Sequence, residues 1–323
     1  MILIDHLTKY YGKFKAVDSL TMEIPEGSIF GFVGPNGAGK TTTMKIMAGL
    51  MTASGGKIEI DGVDIIEHPQ YIGDKVGYMP DFFGTYDNLR ADEYLEFYAG
   101  MYKIPKEKQP QLIDDLLELV DLSDKKYDYV DGLSRGMKQR LCLARSLVHD
   151  PSLLILDEPA SGLDPRARFE MKEILKQLKT LGKTVIISSH ILPELAEMCT
   201  HVGIIDHGVV KAVGAINDIM KDMQKETTIA VKTIGNADLD KVHEMLLEIP
   251  YIDGISVNTE EVVFKYIGDQ DNLAQIMRDM ISRGIPVVSF AEKEGNLEDI
   301  FMELTGGDKD GNTDNTAETQ SIG

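Results

Sequence analysis

Residues 34 to 42 read GPNGAGKTT, placing Gly34, Gly39, Lys40 and Thr41 in the spacing G-x-x-x-x-G-K-[ST] directly after an apolar segment, SIFGFVG. Glycines let a backbone wrap around phosphate oxygens, and the N–H groups of the loop and of the following helix hold the α- and β-phosphates. Lys40 then neutralises the β- and γ-phosphates while the Thr41 hydroxyl ligates Mg²⁺. Pro35, Asn36, Gly37, Ala38 and Thr42 complete the loop and are assigned to the nucleotide with it. Two acids end another apolar run, SLLILDEP: Asp157 suits the shell of the metal, and Glu158 suits a base that orients or deprotonates an attacking water. TVIISSH ends a third apolar run on His190, placed to bond that water or Glu158.

A second anion-receptive element stands between the loop and the acids. LSRGMKQR sets Ser134 and Gly136 just before an amphipathic helical pattern, where a helix start offers backbone N–H groups. One chain thus carries two candidate phosphate-binding elements.

The elements that must position these groups read as α/β over residues 1 to about 218, since short apolar strands alternate with longer helical patterns and Gly-rich turns. Such strands fit a sheet buried on both faces. Residues from about 88 to 150 form a helical insertion, in which Tyr94, Phe97, Tyr98 and Tyr102 are expected to pack as core. Residues 226 to 305 change pattern to β-α-β-β-α-β, the order of a small ferredoxin-like α+β domain, followed by a capped helix at NLEDIFMELT. That region holds no cluster of metal-ligating residues, so an accessory role is expected of it. Residues 306 to 323 are polar and are expected to be disordered.

Composition narrows the partners. Lys and Arg total 33 against 53 Asp and Glu, a formal charge of -20 that argues against nucleic acid or anionic lipid as a partner held by general charge. Cys142 and Cys199 form no C-x-x-C pair and read as reduced structural thiols. No run approaches the ~18 to 20 apolar residues of a membrane span, and the start of the chain lacks the pattern of a secretion signal. A cytosolic chain is therefore expected.

The phosphate loop, LSRGMKQR, LLILDEP, SGLD and SSH, in this order, resemble the ATP-binding subunit of an ABC transporter over residues 1 to about 218. The C-terminal region is similar to the subgroup serving ABC-2 type exporters of drugs or antibiotics. The resemblance implies ATP and Mg²⁺ as cofactors and a head-to-tail homodimer, in which Ser134, Arg135, Gly136 and Met137 of one copy close over the γ-phosphate held by the other. Ser161 to Asp164 would then cross the interface, and Tyr11 would stack on adenine; an ordinary strand-end tyrosine is the alternative for Tyr11.

Three departures from the family pattern involve four positions. Arg135 and Met137 replace glycine and glutamine in the LSGGQ-like element. Asp81 stands where a glutamine is usual, either as a further metal ligand or in an unligated surface turn. Arg90 replaces a capping Thr, so Asp87 or Asn88 is expected to cap the next helix. The implied function is an ATP hydrolase on the cytoplasmic side of the cell membrane, bound there through separate permease subunits and powering export. A soluble ABC-type protein or an ATP clamp uncoupled from any pore is the alternative.

Overall fold

The computed structural model describes residues 1–293 apart from 82, 83, 85, 87, 191–194, 196, 197, 224–226, 235–237 and 269. Its centre is a six-stranded sheet in the order β10-β9-β3-β8-β7-β6. The strands are β3 (Ile29–Val33), β6 (Val76–Met79), β7 (Leu153–Leu156), β8 (Thr184–Ser189), β9 (His201–Asp206) and β10 (Val209–Ala215). All neighbours pair in parallel except β9 and β10. Every residue of β3, β7 and β8 is buried, as expected of strands covered on both faces.

Alternation sorts these apolar strands between two cores. Ile29 and Val33 of β3 point to one face with Leu154, Leu156, Val185 and Ile187; Phe30 and Phe32 point to the other with Ile155 and Ile186. The second face is covered by α1 (Lys40–Met47), through Met44 and Met47, and by an antiparallel sheet. That sheet comprises β1 (Ile2–Tyr11), β2 (Phe14–Ile24), β4 (Gly55–Ile60) and β5 (Val63–Asp64) in the order β2-β1-β4-β5. A short α2 (Ile72–Lys75) leads into β6. The first face carries α3 (Ala91–Met101), α4 (Gln109–Leu119), α5 (Arg135–Leu147) and α6 (Pro165–Thr180), followed in the chain by α7 (Ile216–Met223). At 25 cal/mol per Å², each fully buried Leu or Phe in these cores contributes roughly 1.5–3 kcal/mol relative to exposure.

Two local expectations are corrected. Of the aromatic stripe on α3, Tyr94 is buried and Tyr98 partly so, whereas Phe97 and Tyr102 are exposed. Tyr102 instead stacks on His149 with ring centroids 4.0 Å apart. The cap of α3 is Arg90 itself and not Asn88, and Asp87 lies outside the described residues. Glu93 makes this possible, because its carboxylate accepts the Arg90 backbone N–H at 2.9 Å while the Ala91 and Asp92 N–H groups reach the carbonyls of Asp128 and Lys126.

A third sheet holds β11 (Thr227–Thr233), β12 (Ile252–Val257), β13 (Val262–Tyr266) and β14 (Val287–Lys293) in the antiparallel order β12-β13-β11-β14. With α8 (Leu239–Leu247) and α9 (Gln270–Ser282) it gives β-α-β-β-α-β. Its core, including Ile229, Val242, Leu246, Phe264 and Met280, is separate from the other two. The helix expected at NLEDIFMELT and the polar tail lie outside the described residues.

Candidate functional site

The phosphate loop leaves β3 at Val33 and enters α1 at Lys40. Its shape requires glycine twice. A Cβ on Gly34 would stand 2.2 Å from the Ile205 carbonyl oxygen, and Gly39 has φ +102° with the Ala16 carbonyl oxygen 2.7 Å from where its Cβ would be. Gly39 is also the N-cap of α1, and no side chain caps that end. The free N–H groups and the helix dipole therefore suit an anion. Lys40 is 6% exposed, and its ammonium donates to the Gly34 and Pro35 carbonyls at 2.6 and 3.1 Å. Burial lowers its pKa, against the opposing pull of Glu158 and Asp157.

The two acids come from the end of β7, next to β8 and one strand removed from β3. Asp157 is 1% exposed; its Oδ1 accepts from Thr41 Oγ1 at 3.2 Å and from Ser188 Oγ at 2.7 Å. Ser188 Oγ also accepts the Glu158 backbone N–H at 2.9 Å, so one hydroxyl ties both acids to the end of β8. Glu158 sits at φ +52°, a sparsely populated region for a non-glycine residue and one that persists only where neighbours hold it. Its carboxylate meets His190 Nδ1 at 2.9 and 3.2 Å. Burial raises the Glu158 pKa above the usual carboxylate range; His190 and Lys40 oppose this and Asp157 adds to it.

Lys40, Glu158 and His190 border one cleft of about 410 Å³, lined by Asn36 to Thr42, Asp81, Glu158, Ser161 and His190, with Tyr11, Phe14 and Ala16 along one side. Tyr11 is 46% exposed, with its hydroxyl 3.0 Å from Met51 Sδ, leaving ring surface for a planar group. Asp81 is exposed at the rim. Buried Asp157 beside the Thr41 hydroxyl fits Mg²⁺, which takes one or two carboxylates and completes its shell with phosphate oxygens and water. Among the described residues no group of three His, Cys, Asp or Glu forms a metal site by itself.

The second element does not border this cleft. Ser134 is exposed as the N-cap of α5, its Oγ accepting the Met137 N–H at 3.3 Å. Gly136 is buried against α6, and Met137 is partly buried. Asp164 caps α6 by accepting the Ala167 N–H at 2.9 Å, so its carboxylate is already engaged within the chain. The sequence reading gave no role to Ser188 or to Phe14. Ser188 carried a usable signal, a hydroxyl at an apolar strand end two residues before His190.

The family model "ABC transporter" matches residues 17–161, and "ATP-binding protein DrrA1-3-like, C-terminal domain" matches residues 214–305. The bacitracin transport ATP-binding protein BcrA of Bacillus licheniformis is 36% identical over 93% of this chain and 96% of its own length. The linearmycin resistance ATP-binding protein LnrL of Bacillus subtilis is 31% identical over 95% and 98%. A Nod factor export ATP-binding protein I of Ralstonia nicotianae is 31% identical over 95% and 94%. Among solved structures, an ATP-binding subunit of an ABC transporter superposes with TM-score 0.62 at 28% identity, covering 69% of this chain and 93% of that one. A dimeric bacterial ABC transporter cassette gives 0.61 at 25%, covering 67% and 99%.

Proposed function

This chain belongs to the ATP-binding proteins of ABC transporters, and from that premise we propose that it hydrolyses ATP as half of a head-to-tail homodimer and powers export through separate integral membrane permease subunits. One observation carries this reading. A single cleft is lined by the phosphate loop, Glu158 and His190, with buried Asp157 bonded to Thr41 of that loop, while the Ser134–Met137 element lies outside it on the same chain. Shared sites explain the separation, because each element completes the cleft of the other copy. The similar Nod factor export ATP-binding protein supports the direction.

In this reading the loop N–H groups and Lys40 hold the phosphates, and the Tyr11 ring packs on the base. Mg²⁺ held by Thr41 and Asp157, with Asp81 at the rim, would offset the phosphate charge. Glu158 accepts a proton from the attacking water, and His190, fixed by its Nδ1 contact, keeps that carboxylate in place and leaves Nε2 for the γ-phosphate. Residues 1–218 form the cassette; residues 226–305 serve dimerisation or regulation and carry no chemistry. No described helix is long and apolar enough to cross a membrane, which supports attachment through the permease.

Purified chain is expected to release phosphate from ATP with Mg²⁺ and to stop on addition of EDTA. In cell fractions it should reach the membrane only when a permease is co-expressed. Stable membrane binding of the chain alone would overturn that mode of attachment.

A pH profile probes the base. Only deprotonated Glu158 accepts a proton, and burial holds its pKa up in the free chain, so the acid limb of kcat/KM should lie above the ordinary range of a glutamic acid. His190 and Lys40 both pull that pKa down. His190→Ala removes one of them and should move the limb of its residual activity to still higher pH. A limb that moves to lower pH would take the base away from Glu158.

A further inference from the structure

Arg135 is the larger departure in the LSGGQ-like element, a long cation where the family pattern has glycine. It occupies the first turn of α5, where a positive charge opposes the helix dipole. An arginine there has an evident use if it reaches out to an incoming phosphate. Its contacts lead elsewhere.

Nη2 of Arg135 donates to the Ser161 carbonyl at 3.0 Å, and Nε2 of Gln139, one helical turn further on, donates to the same oxygen at 3.3 Å. The guanidinium lies flat against the next residue: a Cβ on Gly162, whose φ is +66°, would stand 2.5 Å from its carbon and from one nitrogen. Gly136 closes the same contact, since a Cβ there would be 2.9 Å from the Cβ of Ala167 on α6. Further along, Arg140 is nearly buried and pairs with Glu170 of α6 at 3.3 Å. The start of α5 and the Ser161–α6 segment are therefore joined by directional bonds as well as by packing.

The joined turn leads to the base. Ser161 borders the nucleotide cleft, and its N–H donates to the Glu158 carbonyl at 3.1 Å. Two hydrogen bonds thus connect Arg135 to the backbone of a residue whose positive φ depends on its surroundings. We infer that Arg135 is a positioning residue acting within its own chain: it fixes the Ser161–Gly162 turn and, through it, the carboxylate of Glu158. This assignment rests on the shared-site reading. It adds that the element closing over the partner's nucleotide also sets the geometry for water attack in its own chain.

Arg135→Met keeps the aliphatic stem and removes the donors. In the homodimer it should lower kcat about tenfold while the ATP concentration at half-maximal turnover stays within about twofold, the pattern of a misplaced base and not of a lost ligand. Arg135→Lys retains one donor and should recover part of the loss.

Mixed dimers, isolated through two tags, place the effect. When one protomer carries Lys40→Ala, the remaining live site uses the phosphate loop and Glu158 of the other protomer and the Ser134 element of its altered partner. Arg135→Met should reduce turnover more when carried by the protomer whose Glu158 serves the live site than when carried by its partner, which supplies only the Ser134 element. Loss confined to the change in the partner that supplies the Ser134 element would mean that Arg135 contacts the nucleotide across the interface, which overturns the assignment. Unchanged kcat in the homodimer overturns it as well. A silent reference pair, with mixing confirmed, points to failure of independent shared sites, and the kcat split and the lysine rescue in the homodimer then decide the role of Arg135.

Discussion

Glu158→Gln is expected to lower ATP turnover about 10²-fold or more and to leave a dimer that ATP can still close. The substitution keeps the size of the side chain and one acceptor oxygen, so the contact with His190 Nδ1 can persist. What it removes is basicity. The backbone around the residue is held independently of the carboxylate, by Ser188 Oγ on its N–H and by the Ser161 N–H on its carbonyl, so the positive φ should be kept. Charge works in the same direction. Glu158 and Asp157 both act on Lys40, and neutralising the first removes negative charge from a cleft that must receive a polyphosphate. Binding should therefore be equal or tighter while chemistry fails. Gel filtration with ATP and Mg²⁺ should show a dimer that persists for far longer than that of the unaltered chain. Hydrolysis at the normal rate would move the base elsewhere in the cleft.

How much of this was legible in the sequence depended on whether one residue type can serve only one purpose. The loop 34–42 was legible because Gly34 and Gly39 stand where a Cβ collides with backbone, and no other side chain satisfies that. The burial of β3, β7 and β8 followed from continuous apolar runs, and alternation then sorted their residues between the two faces. The small C-terminal sheet was legible in its element order. Residues with several equivalent uses were harder. Ser188 joins both acids, yet a serine at a strand end is equally at home in a turn. The cap of α3 turned on Glu93 reaching back and on carbonyls of Lys126 and Asp128, which are distant in sequence. The stripe on α3 had the right period, but Phe97 and Tyr102 ride the margin of the covered face, and period alone does not give its width. The tie from Arg135 to Ser161 spans 26 positions and depends on how α5 meets the turn before α6.

The proposed division of one catalytic site between two chains makes the largest testable difference of all. Lys40→Ala removes the ammonium bound to the loop carbonyls and should cost about 10²-fold or more in turnover. Ser134→Arg puts a bulky cation at the N-cap of α5, where a small hydroxyl accepts the Met137 N–H, and should disable the other half. Each altered homodimer should be nearly inactive. In a two-fold dimer a mixed pair concentrates both lesions in one site and leaves the second with an intact Lys40 from one chain and an intact Ser134 from its partner. Random mixing makes about half the dimers mixed, each with one sound site of two, so about a quarter of the normal sites should return. If Ser134 served the nucleotide of its own chain, every site in the mixture would carry one lesion and activity would stay absent. The geometry favours return, because Ser134 does not border the cleft that holds Lys40 of the same chain. Once mixing is confirmed and single-site turnover is established separately, failure to recover activity would refute the shared site.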